Sequence, residues 1–77
     1  MKVQVNFIGA ITPPKQGKSF VFEFDKDMTI AQFLKEQGYK DDTIKYLVPA
    51  IDGETAHLRD MLPDGAQLDI FLPIGGG

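Results

Sequence analysis

Apolar residues recur at every second position near the start of the chain, where Val3, Val5 and Phe7 alternate with Lys2, Gln4 and Asn6. The same period returns at Phe20, Phe22 and Phe24, separated by Val21 and Glu23. A period of two places one set of side chains on one face of a strand, so both stretches predict strands with an apolar core face, joined as a hairpin. Their connection, "GAITPPKQGK", carries Pro13, Pro14 and two glycines, and predicts an exposed loop. The period then changes. In "DMTIAQFLKEQGYK", Ile30, Phe33 and Leu34 share one helical face, Thr29 and Gln32 have the spacing of a capping box, and Gly38 stands where a helix stops. Beyond the helix, "YLVPAID" predicts a short strand with Pro49 marking an edge or bulge, Asp52-Gly53 a turn, and "TAHLR" another short strand. "LPDGAQ" predicts a Pro-Asp-Gly turn, and "QLDIFLP" a last strand with Leu68, Ile70 and Leu72 on one face.

This order of elements implies an α+β fold in which one main helix covers one face of a mixed four- to five-stranded sheet. Right-handed crossover makes the first and last strands parallel neighbours, which is the β-grasp arrangement. It carries whatever follows the last strand away from the body of the domain. Residues 1–74 then form the domain, and Gly75, Gly76 and Gly77 form a flexible tail.

Composition narrows the function. Seventy-seven residues make one domain, and a chain of that size buries only roughly 60% of its unfolded surface, which leaves little room for a deep enzyme cleft. The absence of cysteine removes disulfides, thiolate metal sites and iron–sulfur clusters together. A net charge of −3, with eight scattered Lys and Arg residues, argues against nucleic acid as a partner. No apolar run reaches the roughly 20 residues of a membrane span, and the alternating N-terminus reads as a strand rather than a signal peptide, so a cytoplasmic location without membrane contact is expected.

Side chains offer little catalytic chemistry. His57 has no second histidine or cysteine to pair with, which favours a surface or half-buried role over metal or acid–base work. Asp25 with Asp27, and Asp41 with Asp42, suit turns and helix starts better than a cation site. No metal site is expected. If Leu68, Ile70 and Leu72 face the core, Phe71 points outward beside Asp69, with Pro73 and Ile74 following it. Ile8 falls on the polar face of the first strand. Together Ile8, Phe71, Pro73 and Ile74 form a candidate docking patch, although lone exposed apolar residues are common.

The chain ends in "FLPIGGG". Three glycines have no side chain to bury and lose the most freedom on ordering, so they contribute almost nothing to a fold. A glycine run also arises as a plain flexible end. The order of elements, the "TIAQFLKEQG" helix, the "LPDGAQLDIFLP" turn and strand, and the glycine-rich terminus nevertheless resemble, over nearly the whole chain, the ubiquitin-like sulfur carriers of the MoaD/ThiS family. These are the small subunit of molybdopterin synthase and the thiamin sulfur carrier. The opening "MKVQVNFIGAI" with its long loop is more similar to the molybdopterin type. The third glycine of "IGGG" is more like some thiamin carriers.

The resemblance implies a co-substrate rather than an enzyme, with no bound cofactor. A ubiquitin-activating-type adenylating enzyme would use ATP to convert the Gly77 carboxylate to an acyl-adenylate. A sulfur donor would then replace the adenylate to give a thiocarboxylate, and a larger synthase subunit or a thiazole synthase would take the sulfur. Gly75 and Gly76 suit such a tail because a thread without Cβ atoms passes a narrow channel. The α-carboxyl, with a reference pKa near ~3.5, is ionised at neutral pH and needs no base of its own. Two alternatives stay open on the sequence: a protein modifier joined through Gly77 to a lysine amine, and a plain interaction domain whose glycines are incidental.

Overall fold

The computed structural model describes residues 1–73. In chain order its elements are β1 (Lys2–Gly9), β2 (Ser19–Glu23), α1 (Ile30–Glu36), α2 (Asp41–Ile44), β3 (Val48–Ile51), β4 (Glu54–Thr55) and β5 (Gln67–Leu72). The strands form one mixed sheet in the order β2-β1-β5-β3-β4. β1 pairs antiparallel with β2 and parallel with β5, and β3 pairs antiparallel with β5. The expected β-grasp topology is therefore present, with the last strand at the centre.

The alternation of β1 and β5 does what a period of two dictates. Val3, Val5 and Phe7 on β1, and Leu68 and Ile70 on β5, are buried against Ile30, Phe33 and Leu34 of α1. Each such side chain contributes about 1.5–3 kcal/mol on leaving water. The aromatic strand β2 lies at the sheet edge, so Phe20 and Phe22 are only half-buried although both pack on the core. Phe22 meets Phe33 edge-on, with ring centroids 4.7 Å apart.

Helix α1 is defined at both ends. Thr29 Oγ1 accepts from the Gln32 N–H at 3.1 Å, and Gln32 Oε1 accepts from the Thr29 N–H at 2.7 Å, closing the capping box. At the other end Gly38 takes a φ of +101°. Its N–H donates to the Lys35 carbonyl and that of Tyr39 to the Leu34 carbonyl, the paired bonds of a left-handed helix stop.

Three expectations need correction. "TAHLR" is not a strand: β4 ends at Thr55. The carbonyls of Leu58 and Asp60 accept instead from the Ala31 and Ile30 N–H groups, filling the open donors at the start of α1. The segment is bent by a reciprocal turn in which the Asp60 N–H reaches the His57 carbonyl and Asp60 Oδ2 accepts from the His57 N–H. The β1–β2 connection is not wholly exposed either, since Ile11 is buried in the core. The Tyr39 hydroxyl donates to the Thr12 carbonyl at 2.6 Å and ties the loop to the end of α1. Finally, a second short helix, α2, follows Gly38, with Asp41 and Asp42 in its first turn, where acids suit a helix start.

Pro49 lies within β3 without breaking it. Its carbonyl accepts from the Ala56 N–H, so its nitrogen faces the same side, away from β5. The donor that proline lacks is therefore not one that the β3–β5 ladder needs.

Candidate functional site

The sheet has a definite upper end, set by the parallel pairing of β1 with β5. The register runs Phe7 with Ile70, Ile8 with Phe71 and Gly9 with Leu72. On the other flank of β5, Val48 stands opposite Phe71 and Pro49 opposite Ile70. Ile70 is fully buried, so the residues aligned with Phe71 face the opposite side of the sheet from the helix. Ile8, Phe71 and Val48 thus form an apolar row across β1, β5 and β3 on the outward face. Ile8 is 41% exposed, while Phe71 and Val48 are half-buried and lie outside the core cluster.

The chain leaves the sheet beside this row. Leu72 makes the last rung with Gly9, and Pro73 is exposed. Of the residues singled out from sequence, Ile8, Phe71 and Pro73 come together at this end. Ile74, Gly75, Gly76 and Gly77 lie outside the described residues.

Sequence reading missed two members of this end. Val48 completes the apolar row, but nothing local to "YLVPAID" tells which of its residues stands opposite Phe71. Gly9 takes a φ of +96°, and a Cβ there would stand 3.2 Å from the Leu72 carbonyl oxygen. A glycine at the last rung lets β1 approach the backbone of β5 where β5 ends. The available signal was a glycine directly after an alternating strand. Tyr46, two residues before Val48, is 62% exposed, with Lys45 Nζ 5.2 Å from its ring centroid.

The middle of the outward face is polar. Gln4 Nε2 donates to Ser19 Oγ at 3.0 Å, Ser19 Oγ donates to Asn6 Oδ1 at 2.7 Å, and Asn6 Nδ2 donates to Asp69 Oδ1 at 2.9 Å. From its own strand, Gln67 Nε2 donates to the same oxygen at 3.2 Å. Asp69 is the common acceptor of this ladder, which spans β2, β1 and β5.

Elsewhere among the described residues the side chains form no reactive constellation. His57, Asp25, Asp27, Asp41 and Asp42 are exposed. Among the described residues no group of His, Cys, Asp and Glu is placed to hold a metal ion, and no helix is long and apolar enough to cross a membrane. The perturbed group is Tyr39, whose hydroxyl burial pushes above the usual phenol value. It lies by Phe7 and the β1–β2 loop, where it ties structure together.

Comparisons with known proteins agree with this geometry. Residues 8–77 match the model of the ThiS family. No curated protein matches the chain. Among solved structures it is similar to SAMP1 from Haloferax volcanii, at 18% identity and a TM-score of 0.69 with both chains fully covered. It is similar also to the HVO 2177 protein of the same organism, at 20% identity and a TM-score of 0.72, covering 100% of this chain and 87% of that one. A third is a chain in the complex of subunits 1 and 2 of the molybdopterin-converting factor from Helicobacter pylori, at 21% identity, a TM-score of 0.64 and full coverage of both chains. These likenesses carry the fold, and the family match spans nearly all of the sequence: the chain belongs to the ThiS family of ubiquitin-like β-grasp sulfur carriers.

Proposed function

We propose that the chain carries sulfur on the carboxylate of Gly77 for molybdopterin biosynthesis, acting as a co-substrate without catalytic side chains. The observation that supports this most is the placement of the exit. A central strand, held on both flanks, delivers Pro73 to one end of the sheet beside the row Ile8, Phe71 and Val48, and Ile74, Gly75, Gly76 and Gly77 follow it in sequence.

The chemistry follows from a glycine carboxylate presented to an adenylating enzyme. A carboxylate oxygen of Gly77 attacks the α-phosphorus of ATP and pyrophosphate leaves. Hydrosulfide supplied by the sulfur donor then attacks the acyl carbon, the acyl–oxygen bond breaks, AMP leaves with the electron pair, and a thiocarboxylate remains. The enzyme holds ATP, and this chain supplies the thread and a docking face. Relatives with this fold include a chain in the complex of subunits 1 and 2 of the molybdopterin-converting factor, which supports a larger synthase subunit as the acceptor. The long β1–β2 connection favours the same branch over thiamin thiazole synthesis.

The test is the intact mass of the protein recovered from its native cells. Sulfur in place of one terminal oxygen is the expected result. Branched adducts on lysine would make the chain a modifier, and an unaltered terminus under conditions that demand the cofactor would reject the carrier reading. Extending the chain beyond Gly77, or deleting Gly76 and Gly77, is expected to abolish adenylation and leave the melting curve near wild type, since these residues have no side chains to pack.

A further inference from the structure

The two edges of the sheet differ. On one side β4 is two residues long, with Glu54 and Thr55 both exposed. On the other side β2 runs five residues, holds no proline, and carries a single charge, Glu23, at its end. A longer edge without proline or an inward charge is a template for a further strand.

The register assigns the backbone groups of β2 to sides. The Phe24 N–H donates to the Met1 carbonyl at 2.9 Å, and the Phe7 N–H to the Lys18 carbonyl at 2.7 Å. Successive residues of a strand turn their N–H and C=O to opposite sides, so Phe20 and Phe22, in step with Lys18 and Phe24, bond to β1. Ser19, Val21 and Glu23 turn theirs to the free edge. Among the described residues these edge groups have no hydrogen-bond partner, and all three residues are exposed, Val21 by 56%.

This edge is complementary to itself. With two copies antiparallel and Val21 opposite Val21, Ser19 of each stands opposite Glu23 of the other, and every edge N–H and C=O of the three residues is paired. A shift of two residues in either direction runs one end of each strand past the other. On the helix side the same register sets Phe20 opposite Phe22, both half-buried in the single chain. Charge selects the same direction. Lys15 and Lys18 precede the uncharged run Ser19–Phe22, whereas Glu23, Asp25 and Asp27, with Lys26, follow it. Antiparallel pairing therefore sets the basic flank of each copy against the acidic flank of the other, at both ends, while parallel pairing would set like charges together.

We propose that β2 is a self-association edge, and that its occupant is a second copy of this chain, paired antiparallel about Val21 into one continuous sheet. The exit of β5 stays uncovered, because β1 lies between β5 and this edge. The two-fold axis also points the two copies of β5 in opposite directions, so a dimer offers its two chain ends on opposite sides. This assignment goes beyond the carrier function and does not depend on it.

The experiment is sedimentation equilibrium of the full chain between ~10 μM and ~1 mM, at low and high salt. Wild type is expected to dimerise with a dissociation constant on the order of 100 μM, as suits a small interface, and more weakly as salt rises. Val21→Pro removes one donor, which faces the edge and not β1, so it is expected to stay folded and monomeric across the range. Val21→Thr keeps that donor and is expected to dimerise within about threefold of wild type. Two charge variants, Lys15→Glu with Lys18→Glu, and Glu23→Lys with Asp25→Lys, are each expected to be monomeric alone and to pair with one another when mixed. They change exposed residues and serve as the test if Val21→Pro unfolds. Wild type that remains monomeric to ~1 mM overturns the assignment. So does a folded Val21→Pro that dimerises as wild type does, which would place the contact on another surface, and so do charge variants that each dimerise alone as wild type does.

Discussion

The carbonyl oxygen of Leu72 lies where a side chain on Gly9 would come within 3.2 Å of it. Gly9 also holds a φ of +96°, and Gly17 a φ of +97° with nothing within 4 Å of its Cβ position. The two glycines separate backbone strain from close approach. Gly9→Ala is expected to lose about 1–3 kcal/mol, and Gly17→Ala to lose less, because only the first adds a steric contact to the unfavourable φ. Denaturant unfolding of both variants measures the difference, and equal losses would remove the close approach as a cause.

Phe71 tests the outward register. It lies outside the core cluster, whereas Phe33 is fully buried. Phe71→Ala is expected to lose about 1 kcal/mol of stability or less, and Phe33→Ala about 3–5 kcal/mol. Binding to the adenylating enzyme is expected to fall roughly ten- to a hundredfold for Phe71→Ala. Stable protein with unchanged binding would remove Phe71 from the docking face.

Helix caps give predictions of opposite sign. Thr29→Ala opens the capping box of α1 and is expected to cost about 0.5–2 kcal/mol. Lys40 is the N-cap of α2, has extended backbone angles and makes no side-chain cap bond. Lys40→Ser supplies an acceptor there and is expected to gain up to about 1 kcal/mol. Thermal unfolding of the two variants reads both signs.

Tyr39 gives an alkaline limb to stability. Burial raises its pKa above that of an unfolded tyrosine, so the folded state holds the proton longer. Below about pH 10 both states are protonated and its contribution is constant. As pH rises past that value the unfolded state ionises first, and stability falls until the folded-state pKa is passed. Tyr39→Phe removes this part of the alkaline loss, and also the bond to the Thr12 carbonyl, at about 0.5–1.5 kcal/mol at neutral pH. Unfolding free energies of both proteins between pH 7 and pH 11 test it: curves that stay parallel through the alkaline range would exclude the effect.

Much of this was legible in the chain because it depends on neighbours in sequence. Alternation at Val3, Val5 and Phe7 and at Leu68 and Ile70 set the core faces, and Thr29 with Gln32 set the start of α1 in its observed place. Relations between distant strands were less legible. That Val48 stands opposite Phe71, or Asn6 opposite Asp69, is a matter of register, which no local pattern carries. Helix α2 is four residues long, too short for a period to show. "TAHLR" alternates like a strand, yet the carbonyl of Leu58, with that of Asp60 just beyond, is taken by the open N–H groups of α1, a tertiary demand that outweighs local preference.

The central position of β5 has a mechanical consequence. A tail drawn into a partner and then withdrawn loads the domain along the axis of β5, across the hydrogen bonds to β1 on one side and β3 on the other. The bonds to β3 run perpendicular to the strands and those to β1 are slanted, but both cross between strands rather than along them, so a pull on Pro73 shears both ladders at once instead of opening them one rung at a time. An edge strand would peel from a single neighbour. The domain can therefore be tugged repeatedly by its end without unravelling from it.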